Sequence, residues 1–247
     1  MKTILINIYH FFQSHIPFTL IIILGVTYSI SARKLTISAA VAGSILACLI
    51  FAGSGYIGIA MMSAFFVLGS VTTSWKKHIK ASFTDSIEAA TGRSAMQVLA
   101  NAGVAAFAAF IMLQIPESKP LMLIAMASAF ASASGDTVSS ELGMVMGKRF
   151  FNIKTFKPDQ CGLDGVISLE GTLVGILASA GIAGIYSIGY GWGTNFFVIT
   201  IAGTVGNLTD SVLGAVLERK GVIGNNTVNF INTACAAVFG SFLALII

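Results

Sequence analysis

Eight apolar runs, each close to the roughly 20 residues that carry a helix across a hydrocarbon core, dominate this sequence. They lie at residues 16–32, 36–53, 55–73, 95–113, 120–146, 167–187, 195–217 and 226–247. Backbone amides inside lipid need partners within the chain, which leaves helices or closed barrels, and the runs lack the alternation a barrel strand requires. The expected fold class is all-α: a polytopic transmembrane helical bundle of about eight spans, one transmembrane domain over 1–247. The first run is short, and only Gly53 to Gly55 divides the second from the third, so six to eight crossings satisfy the pattern. Charged residues make up 10% of the chain, against about 25% in soluble domains, and a soluble globular chain is excluded.

Alternating the loops of an eight-span chain puts Arg33, Lys34, Lys76, Lys77, Lys80, Arg93, Lys148, Arg149, Lys154, Lys157, Arg219 and Lys220 on one face, 12 of the 14 basic residues. The opposite face keeps Lys2 and Lys119. The positive-inside bias makes the first face cytoplasmic and sets both termini outside. It also accounts for the net charge of +4, so nucleic-acid binding is not implied. Cys48, Cys161 and Cys235 have no metal-ligand or disulfide spacing. Met1 to His15, interrupted by Asn7, His10 and Gln13, reads as an interfacial lead-in or an extension of the first helix rather than a cleavable signal.

Charges within spans cost about 2.5–3.5 kcal/mol each at a helix centre and mark function by default. Here they are Asp136 and Glu141 in span five, Glu170 at the start of span six and Asp210 in span seven, with Asn207 one turn earlier. Span eight opens with Asn225, Asn226, Asn229 and Asn232 at three- and four-residue intervals. The alternation places every one of these groups in the cytoplasmic leaflet, with Asp164 in the adjoining loop. Acids gathered in this way repel one another unless a cation neutralises them. Carboxylate and amide oxygens are the hard ligands Mg²⁺ takes, alongside substrate phosphates. The neighbouring loop "GKRFFNIKTFKP" brings Lys148, Arg149, Lys154 and Lys157, donors suited to phosphate oxygens. Together they read as a nucleotide-phosphate site at the cytoplasmic membrane surface.

Small residues fit this reading. "ASAFASASGD" lets helices approach closely, Gly171 and Gly175 form a small-xxx-small pair, and Gly135 before Asp136 is a candidate helix break. Plainer accounts stand beside these. Asp136 with Glu141, or Asp210 with Asn207, could be structural hydrogen-bonding groups. Asn225 or Asn226 could simply cap span eight, and the basic loop follows partly from topology. A secondary transporter also buries acids beside broken helices, though no half-to-half repeat is visible.

Four blocks in order carry a family resemblance over roughly residues 74–235: "GRSAMQVLANAGVAA", "GDTVSSELG", "GLDGVISLEGTLVG", and "GNLTDSVLGAVLE" followed by "NNTVNFINT". The sequence resembles the integral-membrane phytyl-phosphate (prenyl-phosphate) kinases and their relatives. It is more loosely similar to CTP-using membrane enzymes such as dolichol kinase and phosphatidate cytidylyltransferase. The resemblance implies a CTP-dependent kinase that converts a membrane isoprenoid monophosphate to its diphosphate with Mg²⁺; a cytidylyltransferase of similar architecture is the neighbouring alternative. On that reading Asp136, Glu141 and Asp210 are catalytic and hold the metal, as ligands or just behind them. Arg93, Asn101, Lys148, Arg149, Lys154, Lys157, Asp164, Glu170, Thr172, Asn207, Asn226 and Asn229 bind nucleotide or phosphate. The lipid tail lies between spans near Phe107, Leu173 and Phe230. The expected partners are CTP, the isoprenoid monophosphate and the bilayer, with a homodimer allowed and no nucleic acid.

Overall fold

The computed structural model describes residues 14–83 and 92–247. The stretch 1–13, with Lys2, His10 and nearly all of the expected lead-in, and the segment 84–91 lie outside the described residues. Among the described residues eight α-helices follow in order: α1 Ile16–Ser31, α2 Ile37–Ser74, α3 Lys77–Lys80, α4 Ala95–Gln114, α5 Lys119–Met146, α6 Leu169–Tyr190, α7 Thr194–Leu213 and α8 Asn225–Ile246. Among the described residues, six helical segments are long and apolar enough to cross a membrane, and α1 is a shorter apolar helix. The protein is an all-α integral membrane bundle.

The longest helix holds two of the expected spans. Gly55 interrupts α2 with φ 66° and ψ −151°, a region essentially closed to residues with a side chain. The ends of the interrupted helix meet: Lys34, just before α2, donates to the hydroxyl of Ser74 at its end. Without a reversal, 38 residues would separate these ends by about 57 Å. The two halves are therefore an antiparallel hairpin with a one-residue turn. Phe51 and Tyr56 pack edge to face across the tip at 5.0 Å, and the Ser54 carbonyl accepts from Tyr190 Oη at 3.1 Å. Phe18 of α1 stacks on Phe51 at 4.1 Å, which fixes the start of α1 beside the same tip.

At the centre runs α5, buried on every side from Leu123 to Gly135 and packed against α2, α4, α6, α7 and α8. Its alanines, serines and glycines leave room for these neighbours. A Cβ at Gly171 would lie 2.8 Å from the Ser139 carbonyl oxygen, and one at Gly175 would lie 2.9 Å from the Gly135 carbonyl oxygen. The small pair on α6 is thus a contact with α5. Gly135, read from sequence as a candidate break, lies inside continuous helix. Its missing side chain makes space for Ser179 Oγ, which would be 2.6 Å from a Cβ there.

One end of the bundle carries the basic loops, tied to one another by main-chain bonds. Thr36 N donates to the Arg93 carbonyl at 3.1 Å, and Arg93 N donates to the Lys34 carbonyl at 2.9 Å. Between α5 and α6 the chain makes a small antiparallel hairpin, β1 Phe151–Asn152 with β2 Val166–Ile167, Phe151 opposite Ile167. After α7 the backbone widens into one π-helical stretch, Gly214–Glu218, a local irregularity frequent at functional sites.

Candidate functional site

Three helices converge beneath the basic loops. From α5 Asp136 reaches the carboxyl of Asp210 on α7, within hydrogen-bonding contact. Two carboxylates so close require a shared proton or a cation between them. From α8 comes Asn232, fully buried, whose Nδ2 donates to Asp210 Oδ2 at 2.6 Å while its carbonyl accepts from Ser132 Oγ at 3.1 Å. Asn207, one turn before Asp210 and also buried, accepts from Ser139 Oγ at 3.1 Å. An unbroken chain of polar contacts therefore links α5, α7 and α8.

More acids surround the pair. Asp136 feels the charges of Glu218 and Glu141, and Asp210 that of Asp164. Glu141 is occupied: its carboxylate forms an ion pair with Lys80, whose buried ammonium also donates to the carbonyls of Thr72 and Thr73 at 2.7 and 2.8 Å. Lys80 thus terminates α2, satisfying carbonyls its last turn leaves open, and ties that end to α5. Among the described residues, no three His, Cys, Asp or Glu side chains converge as a ready metal site.

The basic loop is fastened to the end of α7. Arg219 donates from Nη1 to Asp159 Oδ2 at 2.8 Å and from Nε to the Asp164 carbonyl at 3.1 Å. A Cβ at Gly165, whose φ is +73°, would meet the Ala215 amide nitrogen at 2.4 Å, so glycine alone permits this approach. Inside the loop Asn152 organises a turn, its Oδ1 accepting from Lys154 N at 3.0 Å and its Nδ2 donating to Asp159 Oδ2 at 3.1 Å. The Arg219 guanidinium, with the Gln160 amide and Asn152, holds the Asp159 carboxyl down to about 2. Lys148, Arg149, Lys154 and Lys157 all stand exposed on this loop.

The remaining expected residues disperse. Glu170, in the first turn of α6, accepts weakly from the Lys148 amide at 3.4 Å, and Thr172 Oγ1 donates back to the Ser168 carbonyl at 3.0 Å. Arg93 and Asn101 line a separate cavity of about 290 Å³ among α1, α2 and α4, where Arg93 packs over Phe65 at 5.8 Å. Asn229 donates to Asn225 at 2.6 Å. The N-cap of α8 is Gly224 and not Asn225 or Asn226, and no side chain caps the helix: the chain reaches helical geometry one residue earlier than the asparagine row suggests. Asn226 lines a long apolar groove with Phe107 and Phe230, whereas Leu173 stands exposed on α6 and takes no part in that groove.

Four participants carry no signal of their role in the sequence. Glu218 sits beside Arg219 and Lys220, where an acid reads as the end of a span, although eight residues beyond Asp210 returns it to a nearby face of the helix. Lys80 was counted only among the topological charges. Ser132 lies in the small-residue stretch that lets helices approach, and Ser139 stands only within the block "GDTVSSELG".

Residues 20–237 match the family described as integral membrane protein DUF92. An uncharacterized membrane protein of Methanocaldococcus jannaschii is 39% identical over 48% of this chain and 50% of its own length. One from Synechocystis is 32% identical over 78% of this chain and 76% of its own. Protein VTE6, chloroplastic, of Arabidopsis thaliana is 29% identical over 83% of this chain and 63% of its own. The matched region is thus half of the first of these relatives. No solved structure matches the chain.

Proposed function

Since the chain belongs to the integral membrane protein family DUF92, we propose that it is a CTP-dependent kinase. It would convert a membrane isoprenoid monophosphate, of the phytyl- or prenyl-phosphate kind, to the diphosphate. The observation that carries this reading is the contact of Asp136 with Asp210 beneath a lysine-rich loop. The order of motifs shared with prenyl-phosphate kinases supports it. The positive-inside bias puts this end of the bundle in the cytoplasm, where CTP is available.

The donor set fits Mg²⁺. That ion commonly takes one or two carboxylates and completes its octahedron with waters and substrate phosphates, so Asp136 and Asp210 suffice and a preformed three-carboxylate site is not needed. Asn207 stands one turn from Asp210, and Glu141, paired with Lys80, lies behind Asp136. Bound there, the ion would neutralise charge on the donor phosphates.

The chain's own residues do the rest. Lys148, Arg149, Lys154 and Lys157 collect phosphate oxygens at the mouth, and Arg219 keeps their loop over the acids. An oxygen of the acceptor phosphate attacks the γ-phosphorus of CTP, the bond from that phosphorus to the β-phosphate oxygen breaks, and CDP leaves. The acceptor oxygen is already anionic, so no general base is required; catalysis is positioning and charge neutralisation.

The test is transfer of labelled γ-phosphate from CTP to phytyl monophosphate by the purified protein with Mg²⁺. Asp136→Asn and Asp210→Asn are each expected to lower turnover by at least about a hundredfold while the protein still inserts and purifies. Full turnover in both variants overturns the assignment. Release of pyrophosphate in place of CDP would make the protein a cytidylyltransferase.

A further inference from the structure

The amide-bearing start of α8 has two faces, and they lead to different places. Asn225, Asn229 and Asn232 share one face at helical spacing, and it ends on Asp210. Asn226, Phe230, Ala234 and Ala237 follow the other, which forms one side of a groove of about 1050 Å³ between α4 and α8, floored in part by α5. The groove continues to Leu245 beside Met122. From Asn226 to Leu245 that is about 29 Å along the helix, the thickness of the hydrocarbon core.

Small side chains make the groove and large ones frame it. Ala100, Gly103 and Ala234 lie along it, and a Cβ at Gly103 would meet nothing within 4 Å. Phe107, Phe230 and Phe242 stand exposed along its sides. Its polar end opens at the basic face, where the first turn of α8 has no side-chain cap and the positive end of the helix favours an anion. A single extended hydrocarbon chain with an anionic head satisfies both ends.

We propose that the groove between α4 and α8 holds the isoprenoid chain of the lipid monophosphate acceptor, with its phosphate at Asn226 and the start of α8. This rests on the kinase reading for the identity of the headgroup. The amide row then explains how the acceptor reaches the reaction: Asn226 lies one turn of α8 from Asn229 and two from Asn232, the residue that holds Asp210. An open groove framed by aromatic rings grips the chain along its length.

The test uses the full chain in phosphatidylcholine vesicles with a phytyl monophosphate carrying a diazirine on its tail, and cross-linked residues mapped by mass spectrometry. Labelling is expected on α4 and α8 around Phe107 and Phe230, competed by unlabelled phytyl monophosphate. Gly103→Phe fills the open space and is expected to cut labelling and raise KM for phytyl monophosphate at least about tenfold, with KM for CTP little changed. Labelling confined to other helices overturns the inference. So does equal groove labelling from a diazirine phosphatidylcholine, which would mean bulk lipid, or cross-linking between two copies of the chain. Groove labelling with no phosphate transfer upholds the groove and counts against the kinase alone; transfer with labelling elsewhere does the reverse.

Discussion

Asn232 holds Asp210 from a position with no solvent exposure: its Nδ2 donates to the carboxylate at 2.6 Å, while its carbonyl accepts from Ser132 at 3.1 Å. A flip would turn the amide carbonyl against the carboxylate and lose the bond to Asp210. It fixes one half of the carboxyl pair from a third helix.

Asn232→Leu keeps the volume and removes both bonds. Stability is expected to fall by about 1.5–3 kcal/mol, since the lost bond is to a charged group. Turnover is expected to fall at least about tenfold with little change in KM for CTP, because Asp210 loses its orientation and not its charge. Thermal unfolding in detergent and steady-state kinetics separate the two effects.

Lys80 and Glu141 form a largely buried ion pair, so removing one partner strands the other. Lys80→Met is expected to cost about 3–5 kcal/mol. Adding Glu141→Gln should restore much of that loss. A double variant no more stable than Lys80→Met would show that the lysine acts through the Thr72 and Thr73 carbonyls alone.

Packing between α5 and α6 allows no added atoms at Gly175, where a Cβ would sit 2.7 Å from Asn207 Nδ2 and 2.8 Å from Ser139 Cβ. Gly175→Ala is expected to destabilise by about 1–3 kcal/mol and to disturb Asn207. Gly103→Ala, facing open space, serves as the comparison and should be neutral or slightly stabilising, since alanine favours helix.

The latch between Asp159 and Arg219 sets an acid limit on the order of the basic loop. The folded carboxyl is held down to about 2, below an ordinary value of about 3.9. A depressed folded value means the contribution is complete above the ordinary value and is lost as pH falls through the folded one. Protection of amides in 147–168 from hydrogen exchange should therefore weaken as pH drops from about 4 towards 2. Asp159→Asn should show the weakened protection already at neutral pH.

Much of this architecture was legible because hydropathy and charge are local properties. The eight runs are the seven long helical arms and α1, and the division at Gly55 is a real reversal. The shared depth of Asp136 and Asp210 followed from counting which way each span runs. Tertiary partners were beyond such counting. Gly135 and Gly55 look alike in sequence, yet one gives room to Ser179 while the other turns the chain. Arg93 and Asn101 belong to the same early motif as Gly103, but they face the cavity among α1, α2 and α4 while the other side of α4 frames the groove. The pairing of Lys80 with Glu141 spans 61 residues, and no spacing rule joins them.

The one-residue turn at Gly55 also bears on how the protein is made. With no polar loop between its arms, the hairpin presents nothing to anchor either arm alone on the far side, so both must enter the bilayer as one unit. A substitution that straightened the turn would leave a rod of about 57 Å in a hydrocarbon layer of about 30 Å, and the failure would arise during insertion, before any catalytic group had assembled.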